Sequence, residues 1–474
     1  MLVELFGSLE VHTVLIFLFI FLTWLYIQRR QNDASARYPP GPWGLPVLGH
    51  LIQMGERPHL KFMHWAKQYG DVFSIRMGSH LVVVLNGHDV VKEALMKKAT
   101  QFSGRPDWLN RRSLGDRGIV NTAGRVWKEQ RKFAVRTLHG FGMGKEALEE
   151  VMLKEVEYVV EAFNETEGES FDPSQALQKA ISNVISTVVF GERFDFDDKF
   201  FCKLLKDMDE MFENTLGALA IDLFPRLVYI ADYLDPATPK FRAVVKALEG
   251  KINDRKQSRK SVTLDDEEQP TNLIDAYLRN VDKHAGEESS TFKDDYHLSE
   301  IVMELFFGGT DTTLTSLQWA FMFMLENPDV QKKVQEEIDN VVGKERQPRW
   351  EDKPHMPFTD ATILEFQRIN PVLPLAVPHA TTNDIEFRGY HIPKGTMVFV
   401  NLFSVSRDER CWENPDKFDP NHFLNEEGEV VKGDTSLPFS AGSRECVGAQ
   451  LAKPELFIFF TRLLQKFTFV YADE

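Results

Sequence analysis

The chain has 474 residues, enough for two or three ordinary domains or for one large domain with an ample core. Its formal charge of −16 at pH 7 sets nucleic acid aside as a partner and confines any site for an acidic partner to a local basic patch. The three cysteines, Cys202, Cys411 and Cys446, are odd in number and far apart, which argues against a disulfide framework and for a reducing compartment.

Val11 to Ile27 is nearly all apolar and, as a helix, is about long enough to cross the hydrocarbon layer of a membrane. No small-residue cleavage site follows it. Gln28-Arg29-Arg30-Gln31 comes next, so the segment reads as a retained anchor and not as a removable signal peptide. Glu4 and Glu10 before it and Arg29 and Arg30 after it place the body on the cytosolic side. No later stretch is long and apolar enough for a second span. Tyr38-Pro39-Pro40-Gly41-Pro42-Trp43-Gly44-Leu45-Pro46 then reads as a stiff, extended spacer, because proline fixes φ and removes N–H donors. This divides the chain into an anchor over 1–30, a proline-rich hinge over 31–50 and a body over 51–474.

In the body, Val72 to Leu85 alternates around a Gly78-Ser79 turn and predicts a β-hairpin. Helical periodicity predicts long helices over 143–166, 173–190, 200–218, 238–259, 296–326 and 327–342. The last has a clear start in Asn327-Pro328-Asp329, an N-cap followed by proline at the first helical position. Leu216 to Leu234 is strongly apolar despite Asp222 and Pro225, and reads either as a buried helix pair or as a second surface that dips into a membrane. Arg255 to Pro270 and Lys283 to Lys293 read as exposed loops. Ile385 to Asn401 reads as further strand, broken at Gly389 and at Pro393-Lys394-Gly395. The fold class is mainly α with small β-sheets, preceded by one N-terminal transmembrane helix.

The chemistry concentrates near the C-terminus, where Phe439-Ser440-Ala441-Gly442-Ser443-Arg444-Glu445-Cys446-Val447-Gly448 presents one cysteine in a glycine-rich loop that runs into an apolar helix. A lone Cys cannot build a zinc or iron–sulfur site, which need several clustered ligands. It can be the sole protein ligand of a haem iron; the alternative is a buried structural thiol. Gly442 and Gly448 would let the backbone approach a flat macrocycle. Backbone N–H groups at the helix start would stabilise the sulfur's charge. Phe439 would shield the sulfur, and Arg444 would neutralise a haem propionate.

Phe306-Phe307-Gly308-Gly309-Thr310-Asp311-Thr312-Thr313 sets two glycines, an acid and three threonines inside an otherwise apolar helix. Each Gly costs about 1 kcal/mol relative to Ala there, which signals close approach of a ligand or a local opening of the hydrogen-bond ladder. Trp127 and Arg131 stand at i, i+4 and can donate two hydrogen bonds to one propionate. Arg125, Lys128, Lys132 and Arg136 line the exposed side of that helix, a basic stripe fit for an acidic electron donor. Glu365 and Arg368 stand at i, i+3, a spacing that means little by itself.

The pattern F-x-x-G-x-R-x-C-x-G closely resembles the haem-binding loop of cytochromes P-450. The resemblance runs over essentially the whole chain, including the proline hinge and the glycine–threonine helix. Phe141-Gly142-Met143-Gly144-Lys145 and Ile392-Pro393-Lys394-Gly395-Thr396 resemble family 2 of the animal enzymes. The resemblance implies the cytochrome P-450 fold and haem b (iron protoporphyrin IX) ligated by Cys446. It implies that the Thr312 hydroxyl holds iron-bound dioxygen and its water while Asp311 relays protons. It further implies a buried structural lock of Glu365, Arg368 and His422, and propionate contacts from Arg105 and His379 besides Trp127, Arg131 and Arg444.

By the same resemblance the protein is a monooxygenase of the endoplasmic reticulum membrane, single-pass, with its catalytic domain facing the cytosol. NADPH-cytochrome P-450 reductase would supply the electrons, with a microsomal b-type cytochrome as a further partner. Substrates would be small and lipophilic: fatty acids, steroids or xenobiotics. Pocket walls would come from residues 106–122, 210–225 and 372–378. An isomerase or dehydratase of lipid peroxides on the same fold, and a non-catalytic haem-binding membrane protein, are the competing readings. Three departures from the family stand out. Gly308 replaces the usual alanine, Pro454 falls inside the helix after Cys446 and should kink it, and the chain stops at Asp473-Glu474, without the β-hairpin that usually follows.

Overall fold

The structure is a computed structural model that describes residues 37–107, 117–141, 146–212, 237–261, 270–431 and 435–472, with isolated positions 13, 16, 20, 21, 221, 229, 230, 235 and 433. Nearly all of the expected anchor and most of Leu216 to Leu234 lie outside the described residues, as does nearly all of Phe141 to Lys145. Among the described residues, no helix is long and apolar enough to cross a membrane. The chain divides into two compact units, one of residues 1–107 with 374–405, the other of residues 108–373 with 406–474.

In the first unit, helix α1 (Pro58–Tyr69) precedes the expected hairpin of β1 (Val72–Met77) and β2 (His80–Leu85). β3 (His379–Ala380) and β6 (Met397–Val400) complete a four-stranded sheet in the order β1-β2-β6-β3. Val82 to Leu85 run parallel to Met397 to Val400, and all four β2 residues are fully buried. This is the continuous apolar reading of a strand covered on both faces. β4 (Ile385–Phe387) and β5 (Tyr390–Ile392) form a separate hairpin. Its turn residues, Arg388 and Gly389, have φ of 51° and 83°, the two positive values a tight two-residue hairpin requires.

The proline-rich segment is not a free spacer. Prolines leave the carbonyls as the segment's main hydrogen-bonding groups, and β1 uses them: Ser74 N–H donates to the Pro40 carbonyl at 2.7 Å and Ser74 Oγ to that of Pro39 at 2.6 Å. A Cβ on Gly41 would lie 1.8 Å from the Ser74 carbonyl oxygen, so glycine is required for this contact.

The second unit is helical. Its helices are α2 (Gly124–Gly140), α3 (Glu146–Asn164), α4 (Ser174–Phe190), α5 (Lys199–Phe212), α6 (Ala237–Ser261), α7 (Leu273–Lys283), α8 (Leu298–Glu326), α9 (Pro328–Val341), α10 (Pro357–Ile369) and α11 (Ala449–Lys466). α8 packs along α4 and against α6 and α11, while α3 packs on α4 and α11. Their facing sides form one large core from Ile119 to Leu464.

The expected helices appear within a few residues of their places, with two corrections. Arg255 to Ser261 were read as loop, yet they are the end of α6; their charges mark a solvated helix face, where Arg255 Nε donates to Asp275 Oδ1 at 3.0 Å. Asn327 does not cap α9 with its side chain. Its Nδ2 reaches back 2.9 Å to the Phe323 carbonyl at the end of α8. α11 runs from Ala449 to Lys466 with Pro454 inside it, as expected, at the loss of one backbone N–H donor.

Candidate functional site

Cys446 stands immediately before α11, after a short 3-10 turn of Gly442–Arg444. The turn needs Gly442, whose φ is 73°; Ser440 is held at 60° two residues earlier. Gly448 needs no unusual backbone conformation. Its φ is −87° and an added Cβ would meet the Cys446 sulfur at an ordinary 3.9 Å. What it contributes is its N–H. Burial pushes the Cys446 thiol up, while the N–H groups of Gly448 and Ala449 and the charge of Arg131 hold it down. The residue keeps exposed surface, but its sulfur is hemmed in by neighbouring groups, and the net effect raises the thiol above its ordinary value. The helix start thus faces the sulfur with donors, as anion-stabilising helix termini do.

The partners of this loop come from α2 and from residues 117–122. Arg131 Nη2 donates to the Glu445 carbonyl at 2.5 Å. The Arg444 guanidinium lies 3.9 Å above the Trp127 ring and donates to the carbonyls of Ile119 (3.2 Å) and Thr122 (2.6 Å). Trp127 is buried, and its Nε1 has no hydrogen-bond partner among the described residues. A buried indole N–H without an acceptor is rare. It fits a bound group that brings its own acceptors, such as a haem propionate. Among the described residues no set of three or more His, Cys, Asp or Glu side chains gathers to hold a metal, so Cys446 stands as a lone candidate ligand. These residues fit a haem held through one thiolate.

In the first unit, Arg105 and His379 are brought together by backbone pairing. Gly104 and Ala380 exchange hydrogen bonds of 3.0 and 2.9 Å. A Cβ on Gly104 would lie 2.7 Å from the Ala380 oxygen. Arg105 Nη1 donates to the Pro378 carbonyl at 2.9 Å, and His379 Nδ1 lies 2.7 Å from the Phe102 carbonyl.

Thr312 and Asp311 lie on α8, where neither side chain hydrogen-bonds to the Cys446 loop. The helix is continuous through this stretch. The two glycines have separate reasons. A Cβ on Gly309 would lie 3.0 to 3.2 Å from the Ile185 side chain, so Gly309 lets α4 approach. A Cβ on Gly308 would meet nothing within 4 Å, and the residue is exposed. Thr312 Oγ1 donates to the Gly308 carbonyl at 2.6 Å, which leaves its oxygen lone pairs available as acceptors. Burial, and secondarily the Asp209 charge, raise the Asp311 carboxyl above its ordinary range.

Glu365, Arg368 and His422 do meet. Glu365 and Arg368 are wholly buried. All five Arg368 donors are used: Nε and Nη2 on Glu365 (2.7 and 2.8 Å), Nη1 on the carbonyls of Ser406 and Pro415 (both 2.7 Å), and Nη2 again on that of Lys417 (3.1 Å). His422 Nδ1 and the Asp419 N–H also reach Glu365 Oε1. The Trp412 ring lies 5.1 Å from the guanidinium. A planar five-donor fork saturated in this way fixes the segment from Ser406 to His422 against α10.

Two acids of α8 escaped the sequence reading. Glu304 accepts the N–H groups of Ile119 and Val120, and Glu300 lies beside it, buried, with Oε2 unpartnered. Burial pushes Glu304 up to about 8 and Glu300 up to about 7. The available signal was their i, i+4 spacing in an apolar helix.

The family model described as Cytochrome P450 matches residues 39–474. The chain is similar to cytochrome P450 2D20 of Mesocricetus auratus, 41% identical over 462 residues, which cover 96% of this chain and 91% of that protein. It is similar to cytochrome P450 2D4 of Rattus norvegicus, at 40% over 471 residues covering 98% and 93%. Cytochrome P450 2J2 of Homo sapiens is 39% identical over 453 residues covering 94% and 87%.

Proposed function

The chain belongs to the cytochrome P450 family and is a haem-dependent monooxygenase; we propose that it inserts one oxygen atom of O2 into a small lipophilic substrate, a fatty acid, steroid or xenobiotic, at the endoplasmic reticulum membrane. The observation that carries the reading is the lone thiol of Cys446, faced by the Gly448 and Ala449 amides and flanked by the acceptorless indole N–H of Trp127. Bound haem supplies oxygen activation, with thiolate donation favouring O–O cleavage.

The chain's own residues supply the rest. The amides at the start of α11 stabilise the Cys446 thiolate, while Trp127, Arg131 and Arg444 bind propionates. Arg105 and His379 keep the propionate role that the resemblance assigns them. The Thr312 hydroxyl orders a proton donor, and the Asp311 carboxyl, raised above its ordinary range by burial, relays protons. Glu365, Arg368 and His422 hold the chain that leads to the Cys446 loop.

Electrons from NADPH would arrive through NADPH-cytochrome P-450 reductase. Support comes from Lys128, Lys132 and Arg136, exposed on one side of α2 in an acidic protein; Arg125, also exposed, is partly neutralised by Glu129 at 2.6 Å. The test is NADPH consumption and product formation with a panel of fatty acids, steroids and xenobiotics, with and without reductase. Reductase-dependent oxygenated product is the expected result. Turnover of lipid peroxides without reductase, or haem binding with no turnover at all, would overturn it.

A further inference from the structure

Residues Gly118 to Thr122 are gripped from two sides. On one side, the Glu304 carboxyl group on α8 accepts the Ile119 N–H at 2.6 Å and the Val120 N–H at 2.8 Å, one on each oxygen. On the other, Arg444 donates to the carbonyls of Ile119 and Thr122. Thr122 Oγ1 closes the turn on the Gly118 carbonyl at 2.8 Å. Gly118 makes the approach possible. Its φ is 75°, and a Cβ there would stand 2.6 Å from Glu300 Cγ and from both Glu304 oxygens.

Ile119 therefore has its N–H held by the Glu304 carboxyl group and its C=O held by the Arg444 guanidinium, so both backbone groups are fixed by side chains. The bonds from the guanidinium are charge-assisted and are the stronger ones. The guanidinium so fixed is the one stacked on Trp127. We infer that Glu304 is a positioning residue for haem binding: its carboxyl group fixes residues 119–122, and their carbonyls fix Arg444 over Trp127. The inference rests on the haem reading of this site and adds to it a control from α8, through a backbone segment, on the arginine beside the thiolate.

The experiment is a double-mutant cycle on the rate at which the haem-loaded protein gives up haem to a scavenging apoglobin, using Glu304→Gln, Arg444→Lys and the pair. A carboxamide offers one acceptor where two amides need one each, so Glu304→Gln should release haem about 2- to 10-fold faster, the factor of one net hydrogen bond. The double variant should be no faster than Arg444→Lys alone, because Glu304 acts through Arg444. Effects that multiply, or release at the wild-type rate in Glu304→Gln, would overturn the inference.

Amide exchange gives a second readout that needs no haem. The Ile119 and Val120 amides should lose protection in Glu304→Gln and, by reciprocal coupling, in Arg444→Lys, while α8 and α11 stay protected. Loss of protection along all of α8 would make Glu304 a support of the fold and overturn it. A wild-type protein that takes up no haem would overturn the monooxygenase reading as well. Haem uptake with a multiplicative cycle would overturn this inference alone.

Discussion

His422 donates to Glu365 across 3.0 Å from Nδ1, while its Nε2 lies 2.6 Å from the Glu413 carbonyl oxygen. Both ring nitrogens face acceptors, an arrangement that favours the doubly protonated imidazolium. The bond to Glu365 accordingly raises its pKa above the ordinary 6.5, against partial burial and the nearby Arg368 charge. A raised pKa stabilises the fold fully below 6.5, and that contribution is lost as pH rises through the folded value. Thermal midpoints measured from acid to alkaline pH should therefore decline more steeply above neutrality in wild type than in His422→Gln. Parallel curves would show that the ring is neutral.

Arg368→Lys should be strongly destabilising. A lysine keeps the charge but brings three donors from one point, so the Glu365 carboxylate and at least one carbonyl lose partners they hold now. Breaking a buried pair in this way costs about 3–5 kcal/mol, to be read from urea unfolding of the haem-loaded protein. A loss under about 1 kcal/mol would mean that the lock contributes little.

The adjacent glycines of α8 should respond oppositely to alanine. Gly308→Ala adds a methyl to open space in a helix and should stabilise by about 0.5–1 kcal/mol. Gly309→Ala drives a methyl into Ile185, whose Cβ is tied to the backbone of α4, and should destabilise by about 1–3 kcal/mol. Equal signs in denaturant unfolding would show that α4 and α8 do not pack as described.

Cys446→Ala should abolish the red-shifted Soret band of the reduced carbon-monoxide complex. The other thiols are placed elsewhere: Cys202 Sγ donates to the Phe196 carbonyl at 3.2 Å, and Cys411 is half-buried beside the small cluster of Ala361, Trp412 and Phe423. A retained shift would reassign the ligand.

Thr312→Ala should leave haem content intact while NADPH consumption continues as hydrogen peroxide release. Product formation should fall on the order of 10²-fold, the usual weight of one positioned proton donor. Thr312→Ser, which keeps the hydroxyl, should restore much of the coupling. Unchanged product per NADPH in the alanine variant would remove Thr312 from the mechanism.

What the sequence determined by itself is what is written locally. Helical periodicity placed α4, α8 and α9 within two residues of their ends, because a buried stripe repeats every turn whatever it packs on. The hairpin at Gly78-Ser79 and the cysteine loop were legible for the same reason, as were the acid and base of α10. The tertiary structure decided which groups meet across long separations in sequence. Glu304 and Ile119 are 185 residues apart, and Arg444 and Thr122 are 322 apart. Nothing local distinguishes Gly308, open to solvent, from Gly309, pressed on α4. The helix period predicts a face, but the register of one helix against another depends on the summed packing of the core, and only that register makes Gly118, Glu304 and Arg444 neighbours.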